Sequence, residues 1–369
     1  RTGAVVIDMG TRSCRAGFSG QQTPAVEINT LVSCPMAQPT GPGEDKSKAF
    51  TGEEALLYPD AEIIDPMQNG IINNWEAATT LWQCLFDHEL RVLPEEHALL
   101  ITEPQPSPTT HREKMVEVVF ESLGSPGFFV AHQPVLSTYA YGRTSGLVVD
   151  VGYAVTRVVP VYEGYSLAYA TNKMDLAGSH LSWYLMTLLG DMGHMLSNNM
   201  AHLVEAIKHK CCYVASNFES ECQLPPSNCT LEFPLPDGQT ISFSKERFQC
   251  PEVLFNPPPN WGISYVGIHK MAQRSLEQLP EEIRSTLYKN ILLCGGSSLF
   301  KGLERRFCSE LLQSLPTNTD VKVAAMPLRR YSAWMGGSIL TSLKSFQTWW
   351  IQRDEYDEEG PRIVHQRCY

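Results

Sequence analysis

Membrane-spanning segments, secretion signals and excess positive charge are all missing from this sequence of 369 residues. No apolar run reaches the roughly 18 residues of a membrane helix, and no signal-peptide pattern opens the chain. The net charge of −11 argues against broad nucleic-acid binding and against adsorption to anionic membranes. We therefore expect no direct nucleic-acid partner and no transmembrane segment. Because the chain begins at Arg1 rather than at Met, we also expect an N-terminal segment to precede it.

The sequence contains 11 cysteines, but they lack the spacing that indicates disulfide bridges or a metal site. It has no C-x-x-C pair and none of the histidine spacing of a zinc site, so no metal site is predicted from these residues. Cys211 and Cys212 are adjacent, which suits neither a disulfide bridge nor shared metal coordination. Reduced and mostly buried thiols are typical of a cytosolic or nuclear protein, and we expect a cytoplasmic one.

A duplicated segment is the most informative feature that the sequence does contain. Residues 4–11, Ala-Val-Val-Ile-Asp-Met-Gly-Thr, return in altered form at 147–153 as Leu-Val-Val-Asp-Val-Gly-Tyr. In each copy an apolar strand ends in Asp-x-Gly, which directs backbone N–H groups and a carboxylate to one spot, as a phosphate and its metal ion require. Either copy alone is more simply an ordinary hairpin turn. The duplication favours two related lobes that close on a nucleotide from both sides.

Regular patterning predicts an α/β protein. Short aliphatic or β-branched runs bounded by Gly or Pro predict strands, and apolar residues at helical spacing predict helices. The predicted strands are 4–7, 147–149, 158–162 and 291–293. The predicted helices are 75–90, 111–123, 181–189, 201–218 and 338–350. Strands that alternate with helices of this length indicate an α/β fold with mixed sheets.

Beyond these patterns, the sequence resembles actin from Val6 to Tyr369, on segments whose order and spacing match across the chain. These segments are Gly142-Arg143-Thr144-Ser145-Gly146, Asp175-Leu176-Ala177-Gly178, Leu235-Pro236-Asp237-Gly238-Gln239, Cys294-Gly295-Gly296, Trp334-Met335-Gly336-Gly337-Ser338-Ile339-Leu340 and Glu355-Tyr356-Asp357-Glu358-Glu359-Gly360-Pro361 with Ile363-Val364-His365. The resemblance implies the actin-like ATPase-domain fold, with two lobes and four subdomains around a nucleotide cleft. The implied subdomains are 1–29, 66–140 and 332–369 for the first, 30–65 for the second, 141–176 and 263–331 for the third, and 177–262 for the fourth.

The resemblance also implies a set of possible nucleotide-binding residues in the two loops and at the adenine end. These are Asp8, Gly10, Thr11, Arg15, Asp150, Gly152, Lys208, Gly295, Gly296 and Arg330. Arg12, however, stands in place of the second glycine of the first loop, where a side chain blocks close approach to phosphate unless it swings outward. Glu205 puts an acid where actins have arginine, and His209 replaces a glutamate that holds ribose.

The positions that serve hydrolysis in actins depart further from the family pattern. Tyr153 replaces the second aspartate of the second loop, and Ala154 replaces its glycine, which removes a carboxylate near the hydrated metal. Arg157 replaces the histidine that helps orient the attacking water, and arginine cannot act as a general base. Gln133 still matches the other water-positioning residue. We therefore expect no catalytic residues and at most a very weak ATPase. Occupancy of the cleft by ATP or ADP stays open, with Mg²⁺ or Ca²⁺ expected only together with a nucleotide.

Two surfaces bear on partners. In actins, the C-terminal helix and the preceding 139–144 segment line a hydrophobic groove that accepts helices of binding proteins and, in filaments, the next subunit. The corresponding candidates here are Tyr139, Thr144, Leu340, Leu343, Phe346 and Trp349. Residues 35–48 are predicted to form a polar surface loop, which would bury little apolar surface against a neighbouring subunit. We expect other actin-like proteins, capping proteins or profilin-like proteins as partners, and no homopolymer. Trp261, on the proline-rich projection 256–261, is expected to pack back onto the protein.

Together these features favour a structural actin-like cytoskeletal protein with a degenerate ATPase site, acting as a subunit of a hetero-assembly. The alternatives are an ATP-binding, polymerising actin-like ATPase and a nuclear actin-related subunit of a chromatin complex. Tyr153, Ala154 and Arg157 argue against the first, and no large insertion or basic patch supports the second. The chain looks closest to the divergent actin-like proteins of male germ cells, which implies a perinuclear, sperm-head cytoskeleton.

Overall fold

A computed structural model describes residues 3–34, 49–58, 60–197, 200–261 and 265–369, so the predicted loop at 35–48 lies outside the described residues. The chain divides into two compact units. Unit 1 comprises residues 1–144, 161–168 and 331–369, and unit 2 comprises residues 145–160 and 169–330. Each unit combines sheets with helices, which confirms the predicted α/β class. The finer division into four subdomains stays a prediction.

Strands and helices alternate along most of the chain. The strands are β1 (Val5–Met9), β2 (Ser13–Phe18), β3 (Val26–Asn29), β4 (Val32–Cys34), β5 (Phe50–Thr51), β6 (Glu62–Ile64), β7 (Met67–Gln68), β8 (Ile71–Ile72), β9 (Leu99–Glu103), β10 (Gly127–His132), β11 (Gly146–Val151), β12 (Thr156–Tyr162), β13 (Tyr165–Ser166), β14 (Asn172–Met174), β15 (Leu231–Pro234), β16 (Thr240–Phe243), β17 (Ile291–Cys294), β18 (Val323–Ala324) and β19 (Ile351–Gln352). The α-helices are α1 (Trp75–Cys84), α2 (Thr109–Glu117), α3 (Gln133–Ala140), α4 (Gly178–Asp191), α5 (Ala201–Cys211), α6 (Phe218–Gln223), α7 (Glu246–Glu252), α8 (Ile268–Glu277), α9 (Glu281–Tyr288), α10 (Leu303–Ser314), α11 (Ser332–Ser342), α12 (Arg353–Glu359) and α13 (Ile363–Arg367). The π-helical segments Leu85–Leu90 and Val118–Leu123 continue α1 and α2. Within the described residues, no helix is long and apolar enough to cross a bilayer.

The main sheet of unit 1 has the strand order β19-β10-β9-β1-β2-β3. Its centre is parallel, because β9 pairs in parallel with both β1 and β10, whereas β2, β3 and β19 run antiparallel to their neighbours. β1 and β9 are buried along their whole length, as expected of strands that are covered on both faces. A small sheet, β5-β4-β6, and the β7–β8 hairpin also belong to unit 1.

The sheet of unit 2 repeats this arrangement. β12, β11, β17 and β18 follow one another across the sheet, and β14 pairs with β12 on the other side. β11 pairs in parallel with β17, and β17 with β18. The order β3-β2-β1-β9-β10 of unit 1 therefore has its counterpart in β14-β12-β11-β17-β18 of unit 2. The duplication predicted from the sequence is confirmed at the level of topology.

Helices α3 and α11 cross very closely within unit 1. A Cβ atom added to Gly336 would lie 1.7 Å from the carbonyl oxygen of Leu136, so only glycine fits at this crossing. Trp334 is fully buried beside the crossing, and its Nε1–H donates to the carbonyl oxygen of Val6 at 3.0 Å. The Trp-Met-Gly-Gly segment at 334–337 therefore allows α11 to pack closely against the core of unit 1.

The predicted strands and three of the predicted helices correspond to β1, β11, β12, β17, α1, α2 and α4, with shifts of a few residues at their ends. The predicted helix 201–218 is wrong in its second half, because α5 ends at Cys211. After that residue the chain is extended. Tyr213 N donates to Arg247 O, and Val214 N donates to Lys301 O. Hydrogen bonds to distant segments thus replace the helical ones that periodicity predicts.

The predicted helix 338–350 is also wrong, since α11 begins at Ser332 and ends at Ser342. Leu343 has an extended backbone, and a short 3₁₀ segment, Lys344–Thr348, follows it. The side-chain amide of Gln347 donates to the carbonyl oxygens of Thr341 and Leu343, both at 2.9 Å. Because these bonds satisfy carbonyls that the end of the helix leaves open, they stabilise the break.

Candidate functional site

The first duplicated hairpin, formed by β1 and β2 in unit 1, carries Asp8 in a buried position. A hydrogen bond from Gly10 N to Ser13 O closes its turn at 3.1 Å. Asp8 is paired across the strands with Arg15, whose Nη1 lies 3.3 Å from Asp8 Oδ2. The other carboxylate oxygen accepts a hydrogen bond from Thr102 Oγ1 at 2.7 Å. Both oxygens of this carboxylate are therefore engaged by the protein itself.

Arg15 lies between two carboxylates. Besides Asp8, it contacts Glu27, to which its Nε–H donates at 3.2 Å. Tyr331 donates its hydroxyl proton to the other oxygen of Glu27 at 2.9 Å, and its ring centroid lies 5.6 Å from Arg15 Cζ. Burial lowers the pKa of Arg15, but Asp8 and Glu27 raise it by more, so the guanidinium stays charged. Arg15, one of the predicted nucleotide-binding residues, is thus neutralised by side chains of its own unit.

Two further predicted residues of this unit are engaged in the same way. Thr11 Oγ1 accepts a hydrogen bond from Gly70 N at 2.9 Å. The side-chain amide of Gln133 donates to Asp8 Oδ1 and to Met9 O, both at 3.1 Å. In this arrangement the amide group of Gln133 holds the Asp8 carboxylate in place, whereas the sequence assigned that amide to the attacking water.

Gly10 and Arg12 shape the turn of the first hairpin. A Cβ atom at Gly10 would lie 2.6 Å from Ser13 O, so the turn itself requires glycine at that position. The carbonyl oxygen of Gly10 accepts a hydrogen bond from Thr30 Oγ1 at 2.8 Å. Arg12 is exposed, which agrees with the outward orientation considered in the sequence analysis. The backbone geometry of the turn therefore explains why residue 10 is glycine, and a bound ligand is not needed to explain it.

The second duplicated hairpin, in unit 2, has the same turn geometry. Gly152 N donates to Val155 O at 3.1 Å, which matches the bond that closes the first hairpin. Counting back along the two strands from this bond places Asp150 directly opposite Arg157. Arg157 is 7% exposed. Burial lowers its pKa, and the charges of Asp150 and Asp175 act in the opposite direction. Each duplicated hairpin therefore carries an aspartate with an arginine facing it.

The turn of the second hairpin is held by three hydrogen bonds from elsewhere in unit 2. Gly178 N and Ser297 Oγ both donate to Gly152 O, at 3.0 and 2.7 Å. Ser179 N donates to Tyr153 O at 2.7 Å. The amides of the α4 N-terminus, which would suit an anion, are thus directed at the carbonyl oxygens of the turn.

The turn after β17 packs tightly against the same hairpin. Gly295 has a φ of +88°, and a Cβ atom there would lie 2.4 Å from Asp150 Oδ1, so the position demands glycine. Arg329 Nε–H donates to Ser298 Oγ at 2.9 Å, and Nη2–H donates to Ser298 O at 2.8 Å. Arg330, the cation that the sequence predicted, is exposed. Arg329 was missed, and nothing in the sequence distinguishes it from its neighbour.

Lys208 forms a buried network in unit 2. Its Nζ donates to Ser182 Oγ at 2.7 Å, to Gly178 O at 2.9 Å and to Glu205 Oε1 at 3.0 Å. These three contacts match the three hydrogens of the ammonium group. Ser182 also donates to Glu205, and His209 Nε2 lies 3.4 Å from the same carboxylate. Glu205 stands where actins have arginine. Its carboxylate accepts a hydrogen bond from Lys208, the lysine that was predicted to bind a nucleotide.

Close to this network, a cavity of about 230 Å³ opens in unit 2. Its lining consists of His209, Lys210, Cys212, Tyr213, Arg247, Gly296, Leu299, Phe300 and Lys301. Of the predicted nucleotide residues, only Gly296 is part of this lining. A Cβ atom at Gly296 would contact nothing within 4 Å, which leaves room for a larger side chain.

At each of these positions, the polar groups that a divalent cation and a triphosphate would use already have partners within their own unit. Such a ligand needs carboxylate oxygens for the metal shell and cations for the phosphates. Asp8 has both oxygens engaged, Arg15 lies between carboxylates, and Lys208 donates into its own network. Within the part of the chain that the structure describes, no group of three or more His, Cys, Asp or Glu side chains could hold a metal ion.

The candidate partner-groove residues, all in unit 1, differ in exposure. Leu343 is 46% and Trp349 48% exposed, Thr144 is exposed, and Tyr139 is half-buried. The other two predicted residues are not exposed, because Leu340 is buried and Phe346 is only 1% exposed. The rings of Phe129 and Trp350 enclose Phe346 at centroid distances of 5.0 and 4.9 Å.

Ile339, which the sequence analysis missed, is 43% exposed and replaces these residues on the outer face of α11. It lies four positions before Leu343, which directly follows the last residue of α11 and is 46% exposed. That spacing was visible in the sequence. We define Tyr139, Ile339, Leu343 and Trp349 as the α11 face.

Comparison with known proteins places these observations in context. A family model described as Actin matches residues 1–369. Actin-like protein 9 of Homo sapiens is 49% identical over 369 residues, covering 100% of this chain and 89% of that protein. Actin-like protein 9 of Bos taurus is 48% identical with the same coverage. Actin-like protein 7A of Rattus norvegicus is 41% identical over 370 residues, covering 100% of this chain and 83% of that protein.

Proposed function

This chain belongs to the actin family, and from that premise we propose that it is a structural, non-hydrolysing subunit of an assembly with other actin-like proteins. The prediction of a divergent actin-related protein is confirmed by the family match and the similarity to actin-like protein 9. Actin-family membership indicates the cytoskeleton as the setting. Loss of hydrolysis and the choice of partners are the proposed part.

The observation that carries this proposal is the repeated Asp–Arg pairing in the two hairpins. In actins these loops serve a nucleotide and its metal, whereas here Asp8 faces Arg15 and Asp150 lies opposite Arg157. A carboxylate that is neutralised by an arginine of its own hairpin does not need a divalent cation to offset its charge. Both units can therefore be stable without nucleotide or metal.

We expect nucleotide and metal to leave the thermal stability of the protein nearly unchanged. A ligand present at 100 times its Kd adds about 2.7 kcal/mol to the free energy of unfolding, which raises the Tm of a unit of this size by roughly 5–10 °C. We expect the difference in Tm between excess EDTA and Mg²⁺ with ATP to stay below about 2 °C. Differential scanning calorimetry of the purified chain measures it.

A matched variant gives this measurement its positive control. Tyr153→Asp, Ala154→Gly and Arg157→His together restore the pattern of the family in the second loop, and should create a Tm increase that depends on Mg²⁺ and ATP. A rise of 5 °C or more in the unmodified chain would contradict the proposal. No gain in the triple variant would mean that Arg12 or Glu205 limits binding instead of the second loop.

We propose the α11 face as the contact surface for the partner. Its exposed members combine two aliphatic side chains with Trp349, and large aromatic residues at a partly exposed surface are typical of interface hot spots. Trp349 packs at 5.5 Å from Phe346, which anchors its ring on the core of unit 1. An aromatic ring that is already ordered loses little conformational entropy when a partner covers it.

We expect Leu343→Asp or Trp349→Ala to detach the partner without unfolding the protein. Loss of a central hot-spot side chain costs about 2 kcal/mol or more of binding free energy, roughly a 30-fold weaker Kd. The test is co-purification with a co-expressed second actin-like protein, together with the Tm of each variant. Leu312→Asp is the matched control, because Leu312 is also 46% exposed but lies in unit 2. Folded variants of the α11 face that keep their partner would rule this surface out.

We further propose that the assembly belongs to the perinuclear cytoskeleton of the sperm head. The support is the resemblance of the sequence to the actin-like proteins of male germ cells. Staining of fixed sperm with an antibody against the peptide 353–369 should label the sperm head. Uniform label along the tail, or label confined to chromatin, would favour a different assembly.

A further inference from the structure

Helix α4 of unit 2 presents an aromatic ridge. Trp183 is 58% exposed, and its ring lies edge-on to Trp261 with the centroids 5.4 Å apart. Tyr184 contacts the same ring at 5.2 Å. Trp261 is half-buried, so its predicted packing onto the protein is confirmed, and the exposed ring of the cluster is Trp183.

Directly beside this ridge, unit 2 has an open pocket of about 630 Å³. Its lining includes Tyr184, Asn217, Glu219, Gln249, Glu252, Arg306 and Glu310. Tyr184 belongs to both features, because it contacts Trp261 and also lines the pocket. We call the ridge and the pocket together the aromatic–acidic surface.

The pocket has more carboxylates than cations. Arg306 is buried and pairs with both oxygens of Glu252, at 2.8 and 3.0 Å, while its Nε–H donates to Glu310 Oε1 at 2.8 Å. Glu219, which is exposed, adds a third carboxylate to the lining. The buried Glu252 is neutralised by Arg306, which leaves Glu219 and the partly exposed Glu310 as excess negative charge. A ligand of this pocket should therefore be positively charged.

We propose that the aromatic–acidic surface binds a proline-rich segment that contains arginine or lysine. Proline side chains stack on exposed tryptophan and tyrosine rings, and the extended polyproline conformation has no internal hydrogen bonds. Its carbonyl oxygens require donors, and Asn217 and Gln249 supply side-chain amides in the lining. The basic residue pairs with Glu219 and Glu310.

The chemistry of the surface selects this ligand over two others. An amphipathic helix requires a continuous apolar groove, whereas the lining combines aromatic, amide and acidic side chains. A nucleic acid is excluded because the excess charge of the pocket is negative. An arginine over the Trp183 ring would add a cation–π contact to the stacking of proline.

Fluorescence anisotropy of a labelled decapeptide, Arg-Pro-Pro-Pro-Arg-Pro-Pro-Pro-Arg-Pro, tests the proposal on the whole chain. We expect saturable binding that weakens as salt is raised, because exposed ion pairs are screened. Trp183→Ala should weaken the Kd by about 30-fold, as for a central hot-spot residue. Glu219→Lys should weaken it as well, and should do so less at high salt. Both side chains are exposed, so both variants should keep the Tm of the unmodified chain.

Two controls make the outcome decisive. Trp349→Ala removes an exposed tryptophan of unit 1 and should leave peptide binding unchanged. A decapeptide with glutamate in place of each arginine should not bind. Absence of binding to the unmodified chain, or equal binding to Trp183→Ala, would overturn the proposal. Because the α11 face is not involved, either result leaves the proposed function untouched.

Discussion

Purified protein supplied with Mg²⁺ and ATP should release phosphate at least about 100-fold more slowly than conventional actin, at low and at high protein concentration. Positioned proton transfer contributes roughly 10²–10⁴-fold to such reactions. Arg157 is buried opposite Asp150 and keeps its proton near neutral pH, so it cannot accept one from water. The amide of Gln133 donates to Asp8 and Met9. A phosphate-release assay with a coupled chromogenic readout measures the rate.

The triple variant of the second loop defines what the result means. If Tyr153→Asp, Ala154→Gly and Arg157→His raise the rate, the second hairpin is what silences hydrolysis. If the unmodified chain already turns over at the rate of filamentous actin, the protein is an active ATPase and the structural role proposed here is wrong. Tyr369→Phe is a suitable control, since Tyr369 is an exposed residue at the end of unit 1 and belongs to neither hairpin.

Arg306→Met should lower the free energy of unfolding of unit 2 by about 3–5 kcal/mol, the usual cost of breaking a buried ion pair. Arg306 is 3% exposed, donates to both oxygens of Glu252 and also to Ala215 O at 2.9 Å. Its Cζ lies 4.8 Å from the ring of Phe255. Methionine fills a similar volume but leaves the buried carboxylate of Glu252 unpaired.

The expected fall in Tm is roughly 10 °C for a unit of this size, measured by circular dichroism or calorimetry. Arg305→Met is the matched control, because Arg305 is exposed on the same helix and should shift the Tm by less than about 2 °C. Equal Tm values for the two variants would mean that the Glu252 carboxylate is solvated or protonated in the folded state. Adding Glu252→Gln to Arg306→Met should recover part of the loss, since the uncompensated charge is then removed.

The sequence predicted the architecture well because the two hairpins leave a strong local pattern. An apolar strand that ends in Asp-x-Gly is recognisable without any partner, and its repetition implied the repeated sheet order found in both units. The sequence also identified Arg157 as a residue that cannot act as a general base, because arginine keeps its proton whatever the orientation of its side chain. Its place opposite Asp150 could also have been counted from the hairpin turn.

The remaining features of the site depend on contacts that no local pattern carries. Glu27 comes to Arg15 from β3, on the neighbouring strand, and Tyr331 reaches it from the far end of the chain. The error at the α11 face has the same origin, because Gln347 caps the helix early. Phe346 is thereby directed into the core, and the helical spacing assumed for residues 338–350 no longer applies.

Helix α11 carries two kinds of position, one packed against backbone and one exposed, and this has a consequence for inherited variation. Gly336 lies against the backbone of Leu136 with no room for a methyl group, so any missense change there should act as a loss of the whole protein. Ile339 lies less than one turn further along but faces outward, and a polar allele at that codon should leave protein abundance intact while abolishing an association. Alleles of this short segment would then fall into two complementation classes, one recessive through instability and one capable of dominant interference.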